Sequence, residues 1–336
     1  MQRPESTERA SVPPRLEEIF AEVQEDLVSV DEFIRDKIDS NVDLIQKTSR
    51  YIHESGGKRI RPSLLLLVAK MCGYTGARAK YYAAVMEFIH TATLIHDDIV
   101  DEATLRRGRT SVNSLLGNDV TVLLGDYLYI RSMGMAIDLG DLRILKVICD
   151  VTLRMIEGEL LELTRGGDVS VSEEEHLDIL KRKTAHLFAG CARIGAMLGE
   201  APPEREETLA EYGLNLGMAF QLVDDILDFT SDEKVLGKPV LSDLKEGHLT
   251  LPVLYLLRED PEAARLISSV LAEKVLDADV RTDILARMKK HRTVEASRRI
   301  AERYVKEAKA ALDPLPDSGY KESLLALAEY VTERDR

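Results

Sequence analysis

Tryptophan is absent from this 336-residue chain, and aromatic residues make up only 5% of it. Its core therefore has to be filled with aliphatic side chains. Cysteine is scarce as well. Cys72, Cys149 and Cys191 are widely spaced and lack metal-ligand spacing, so reduced thiols are expected. Positive charge is in deficit, with 45 Lys and Arg against 59 Asp and Glu, and the net charge of −14 argues against a nucleic-acid binder. Long apolar runs are missing: Leu64 to Ala69 is far too short to span a bilayer. The N-terminus carries Glu5 and Glu8 and no apolar core, so no secretory signal is expected. These absences leave a soluble, cytoplasmic protein as the expectation.

Helical periodicity fills most of the chain. Residues 1–14, with Pro4, Pro13 and Pro14 among polar neighbours, read as a flexible tail, and 15–336 as one all-α domain. Periodicity runs from about Pro14 to Ile52, breaks at Gly56-Gly57 and restarts around Pro62. Further helices fit 79–101, 119–138, 141–164, 173–198, 206–229, 250–258, 261–272, 276–288, 294–312 and 319–334. Breaker clusters separate several of them, GYTG at 73–76 and EAPPE at 200–204 among them. Ser172 and Glu175 form a capping box, which puts His176 in an exposed first turn. The longest connection, 230–249, is long enough to suggest a functional lid and carries Lys238 and Lys245.

Against this background two acidic pentads stand out, DDIVD at 97–101 and DDILD at 224–228, each ending an apolar helical run. Residues four apart share a helix face, so Asp97 pairs with Asp101 and Asp224 with Asp228. Carboxylates at the ends of buried helices repel one another unless a cation offsets the charge. Magnesium suits them, because it takes oxygen ligands while keeping water and substrate phosphates around it. Basic clusters complement the pentads. Lys58, Arg59 and Arg61 lie in GGKRIRP at a glycine break before a helix, and Arg106, Arg107 and Arg109 follow the first pentad. A magnesium–diphosphate salt is the ligand this pattern implies. An acidic pentad alone would usually be a solvated face. The shared spacing, the buried helices before both pentads and the adjacent arginines argue otherwise. A di-iron reading would use Glu87-x-x-His90 and Glu173-x-x-His176, but the exposed position expected for His176 disarms it.

The motifs GGKRIRP, FIHTATLIHDDIVDEATLRRGRT, GDYL at 125–128, Lys183-Thr184, FQLVDDILDF and GKPVLSDL occur in one order. In that order they resemble the trans-type polyprenyl diphosphate synthases, long-chain members in particular. The resemblance implies an all-α helical bundle around a central cavity, a homodimer, and head-to-tail joining of isopentenyl diphosphate to an allylic diphosphate. By the family pattern Asp97 and Asp101 hold magnesium with Asp98 in support. Asp224 binds it from the facing helix with Asp225 and Asp228, for about three ions in all. Lys58, Arg61, His90 and Arg107 would bind isopentenyl diphosphate. Arg106, Lys183 and Lys238 would contact the allylic diphosphate, and Thr184 and Gln221 would line the reacting centre. Gly213 and Gly217 are expected to serve packing alone. One position departs from the pattern: His248 stands where the family has Lys or Arg. It would be a weaker, pH-dependent diphosphate ligand, or Lys245 would replace it.

The same resemblance bears on product length. The growing tail would pass Thr93 and Ala92, one turn behind Asp97. The small Ala92 leaves the first floor open, and Tyr129, Met133 or Ile137 would form a deeper one. With one five-carbon unit per helix turn, a long product on the order of forty carbons is expected. The terminal ERDR is similar to synthases that make quinone side chains. A farnesyl or geranylgeranyl diphosphate synthase is the alternative. A terpene cyclase would lack DDILD and GGKRIRP, and a non-catalytic subunit would have lost aspartates or arginines. None of the main ones is missing here.

Overall fold

Local signals set the helix boundaries in the computed structural model, which describes residues 16–38, 40–54, 56–106, 108–230 and 240–333. The tail 1–14, Arg107, Lys238 and the middle of the long connection lie outside the described residues. Asp141 caps Leu142–Arg165 by accepting from the amides of Arg143 and Ile144. Ser172 and Glu175 make both bonds of the expected capping box at Glu173–Leu180. Asp260 caps Pro261–Glu273, with the proline in the first turn where its missing N–H costs nothing.

Most expected helices are present within a few residues of their bounds, and two differences matter. The run 14–52 is two main helices, Gln24–Lys37 and Asp43–Glu54, because the Ser40 hydroxyl accepts from the Val42 amide and closes a turn between them. The run 173–198 is interrupted by a π turn at Lys181–Ala185, followed by His186–Leu198. Single π turns inside helices often mark functional positions.

The two acidic pentads end long helices, Arg78–Val100 and Pro203–Thr230. The first-pentad helix packs against Asn118–Asp138, Ile60–Met71 and Gln24–Lys37. The second packs most extensively against Thr293–Leu312 and His186–Leu198. Close approach depends on missing side chains. A Cβ on Gly213 would stand 2.6 Å from the Phe188 carbonyl oxygen, and one on Gly217 would stand 2.7 Å from Ala185 Cα. Both glycines thus do the packing work expected of them. Tyr212, wholly buried on the same helix, donates its hydroxyl to the Leu324 carbonyl at 2.7 Å and ties in the C-terminal helix Gly319–Glu333.

The only strands among the described residues are Leu105–Arg106 and Arg109–Thr110, a two-residue antiparallel ladder closed by Gly108 at φ +74°. The large core is aliphatic, as the composition required. A smaller apolar cluster forms around Leu241, Leu244, Leu249 and Val253. The part of the long connection that is described is therefore packed, with a one-turn helix at Ser242–Glu246. Among the described residues no helix is long and apolar enough to cross a membrane. All three cysteines are free, and burial pushes the Cys191 thiol up to about 12.

Backbone atoms meet the space beside Gly213, so a methyl there cannot be accommodated by a rotamer change. Gly213→Ala is expected to destabilise the fold by about 1–3 kcal/mol. A lowered urea midpoint with unchanged slope would register it.

Candidate active site

Arg59 takes a left-handed conformation (φ +50°) just before Ile60–Met71. Its guanidinium contacts Asp31 at 3.0 Å and Glu87 at 2.5 Å. This ion pair occupies Glu87, the first residue of one di-iron motif. Among the described residues no three His, Cys, Asp or Glu side chains are grouped as a ready-made metal site. Arg61 instead turns to His90, with 2.9 Å between Nη1 and Nε2, and its guanidinium lies 4.6 Å from the Phe188 ring centre. Arginine has only donors, so His90 Nε2 is the acceptor. Lys58 is exposed and stands 5.9 Å from the Tyr330 ring centre.

At the first pentad, the buried Asp98 receives both Nε (2.6 Å) and Nη2 (2.5 Å) of Arg106. Asn113 donates to its backbone carbonyl at 2.9 Å. Burial raises the Asp98 pKa, against the pull of Arg106. Asp97 shows the repulsion expected of clustered carboxylates. Burial pushes it up to about 7, Glu159 and Asp101 add to the rise, and Lys183 and Arg106 oppose it. The Gly125 of GDYL makes room for the neighbouring His96 ring: a Cβ there would lie 2.3 Å from Nε2.

The π turn presents Lys183 and Thr184. Gly158 lets it approach, since a Cβ there would be 2.6 Å from the Lys183 amide nitrogen. The Lys183 ammonium contacts Glu159 at 2.8 Å and also Glu162. Burial alone would lower its pKa, but Glu162, Glu159 and Asp97 outweigh it and raise it. Thr184 donates to Gln221 Oε1 at 2.9 Å, and Gln221 Nε2 donates to Asp225 Oδ1 at 2.9 Å. The two residues expected at the reacting centre therefore share one hydrogen-bond chain with the second pentad.

Asp224 is half-buried on the second pentad, while Asp225 and Asp228 are buried. Asp228 anchors the returning connection: Ser242 donates to its Oδ1 at 2.9 Å and the Leu241 amide to its carbonyl at 3.1 Å. Burial raises Asp225 well above the usual carboxylate range, with only Gln221 pulling it down.

His176 is not exposed, as its place behind the capping box had suggested. It is 7% exposed, with Nε2 3.8 Å from Asp225 Oδ2, and burial lowers its pKa to about 4. The helix lies against the bundle, so this face of its first turn points inward.

His248, the departure from the family pattern, stands among carboxylates, with Nε2 3.7 Å from Asp101 and Nδ1 3.4 Å from Glu162. These are ion contacts rather than aligned hydrogen bonds. Burial lowers its pKa, but Asp101 and Glu162 more than offset that and raise it to about 10. Glu162 shows the reciprocal effect. Burial would raise it, yet His248 and Lys183 bring it to about 2. His248 is therefore cationic at neutral pH without any phosphate nearby, contrary to the weak, pH-dependent ligand expected. Lys245 is exposed.

A model of the polyprenyl synthetase family matches residues 42–288. The chain belongs to that family. It is 39% identical over 322 residues to octaprenyl diphosphate synthase of Escherichia coli, covering 96% of this chain and 99% of that one. It is 37% identical to an all-trans-nonaprenyl-diphosphate synthase of Rhodobacter capsulatus, covering 95% and 98%. Among solved structures, a Caulobacter crescentus polyprenyl synthase complexed with calcium and isoprenyl diphosphate superposes with a TM-score of 0.92 at 31% identity, covering 97% of this chain and all of that one. A decaprenyl diphosphate synthase from Rhodobacter capsulatus gives 0.91 at 36%, covering 96% and 100%.

The all-α fold expected from the sequence is thus the one this chain shares with these solved structures. Its donor set fits magnesium, which needs only one or two protein carboxylates and completes its shell with water and phosphate. Burial lifts Asp97 to about 7, with Glu159 and Asp101 adding to the rise, and a divalent cation would favour its ionised form. Sequence reading missed Glu159 and Glu162. Their signal was present, a glycine inside a helical run at 158 with carboxylates one and four residues on.

The pKa of His248 lies above its ordinary 6.5. In metal-free protein its contribution to stability is thus complete below pH 6.5 and fades as pH rises towards about 10. The difference in urea midpoint between wild type and His248→Gln should be largest near pH 6.5 and shrink by pH 10. A constant difference across that range would contradict the assignment.

Proposed function

We propose that this protein is a long-chain all-trans polyprenyl diphosphate synthase. It elongates an allylic diphosphate with isopentenyl diphosphate, magnesium-dependent and cytoplasmic, for use as a quinone side chain. The observation that carries this reading is the convergence of Asp101, Lys183, Glu162 and His248, with Asp97 in the field of Lys183 and Asp225 in that of Glu162, beside the Thr184–Gln221–Asp225 chain.

In this reading Asp97, Asp101, Asp224 and Asp228 would hold the magnesium ions, with Asp98 and Asp225 behind them. The metal supplies Lewis-acid neutralisation of the diphosphate as it leaves. Lys183 and Arg106, with Lys238 from the connection, bind the allylic diphosphate. Lys58, Arg61, His90 and Arg107 bind isopentenyl diphosphate. The double bond of isopentenyl diphosphate attacks the allylic carbon as its C–O bond breaks, and the departed diphosphate takes the proton that the new chain then loses. Thr184 and Gln221 hold oxygen dipoles toward the developing positive charge. Closure of the connection over the site excludes water.

A homodimer is part of the proposal. Leu123, Ile130 and Ile137 form a seven-spaced exposed apolar stripe on Asn118–Asp138, and Leu153, Ile156, Leu160 and Leu163 form another on Leu142–Arg165. Contiguous apolar surface of this kind marks association sites. Ile137 is 60% exposed on that stripe, which removes it from the candidate tunnel floor. Tyr129 and Met133 are half-buried against the core and remain candidates.

Two tests follow. Arg61→Ala should raise KM for isopentenyl diphosphate more than for the allylic substrate, and Lys183→Ala the reverse; equal shifts in both variants would refute the division of the two pockets. Ala92 is 2% exposed and one turn behind the first pentad. Ala92→Phe should shorten the product to about fifteen to twenty carbons, since a ring there blocks roughly one helix turn of path. Chromatography of the dephosphorylated products reads the outcome, and an unchanged long product would show that the tail runs elsewhere.

A further inference from the structure

Five side chains around the first pentad form one chain of contacts: Glu159, Lys183, Glu162, His248 and Asp101. Glu162 stands in the middle and uses its two oxygens separately. Oε2 contacts the Lys183 ammonium, and Oε1 lies 3.4 Å from His248 Nδ1. The two nitrogen groups come from unrelated parts of the chain. Lys183 is on the π turn and His248 on the segment returning from the long connection. Each has one further carboxylate, Glu159 at 2.8 Å for Lys183 and Asp101 at 3.7 Å for His248. Glu162 is the carboxylate that both of them contact.

The backbone repeats the same link. The Gly167 amide, just past the helix that carries Glu162, donates to the Gly247 carbonyl at 3.0 Å, and Gly247 precedes His248. Gly247 takes φ +99°, a conformation that turns the chain into this contact at no steric cost. Two nitrogen groups that engage one diphosphate must be held at a set separation. A carboxylate offers an acceptor oxygen to each of them, whereas a glutamine offers only one.

We infer that Glu162 is a positioning residue that sets the spacing of Lys183 and His248 and so shapes the allylic diphosphate pocket. This rests on the proposed assignment of Lys183 to that pocket. A carboxylate beside a diphosphate site would by charge alone weaken anion binding. The bridging role predicts the opposite sign for its removal.

The test uses the full-length magnesium-loaded enzyme with Glu162→Gln, Glu162→Asp and, in parallel, Lys183→Ala. Glutamine keeps the shape but loses the charge and one acceptor oxygen, while aspartate keeps both but is one methylene too short to reach Lys183 and His248 together. Both Glu162 variants should raise KM for the allylic diphosphate by roughly tenfold and leave KM for isopentenyl diphosphate within about twofold. Amide hydrogen exchange should quicken in residues 240–250 while the rest of the chain keeps wild-type protection. Wild-type kinetics in Glu162→Asp would overturn the inference, because charge without reach would then suffice. A lower allylic KM in Glu162→Gln would overturn it by showing simple repulsion. Equal rises in both KM values with a lower melting temperature would reduce Glu162 to a general structural part. If Lys183→Ala leaves the allylic KM unchanged, the pocket assignment itself fails, independently of the Glu162 result.

Discussion

Carboxylate crowding between the two pentads is the constraint that organises this structure. Helices that bury their apolar faces bring Asp97, Asp98, Asp101, Glu159, Glu162, Asp225 and Asp228 into one poorly solvated region. Such a region is costly unless each charge is neutralised or its proton retained. Three devices meet that cost. Arg106 grips Asp98, Lys183 and His248 thread between the outer carboxylates, and burial holds Asp225 in a high-pKa state. The outer groups stay at the edge of solvent, where diphosphate and its metal can join them.

The same constraint explains where glycine and strain appear. Gly158, Gly213 and Gly217 are places where helices carrying charged groups must approach backbone to backbone. Arg59 adopts a left-handed conformation while bridging Asp31 and Glu87, which fixes the start of the helix that delivers Arg61 to His90. Local strain of this sort persists because several ion pairs hold it in place.

The fold was legible because its helices are long and strongly periodic, and because Ser172, Asp260 and Pro261 announce their starts. The pentads were legible from their spacing, and Thr184 and Gln221 only through the family resemblance that the motif order carries. Three things were not. The π turn has no compositional mark, since Lys-Arg-Lys-Thr-Ala is good helical sequence. His176 was misread because a capping box locates a helix start without telling which face of the first turn meets the core. His248 was misjudged because its charge depends on Asp101 and Glu162, which lie 147 and 86 residues away in the chain and meet it only in the folded state.

The π turn at Lys181–Ala185 also fixes the phase of everything after it. A regular helix advances about 100° per residue, and the wider turn absorbs one residue more than a regular one would. Glu173–Leu180 and His186–Leu198 can therefore each keep an apolar face inward while Lys183 and Thr184 turn toward the pentads. Winding the same residues as an ordinary α-helix would advance everything after them by about 100° and rotate Phe188 and Cys191 out of the core. The extra residue thus serves the presentation of Lys183 and Thr184, a demand that neither flanking helix makes.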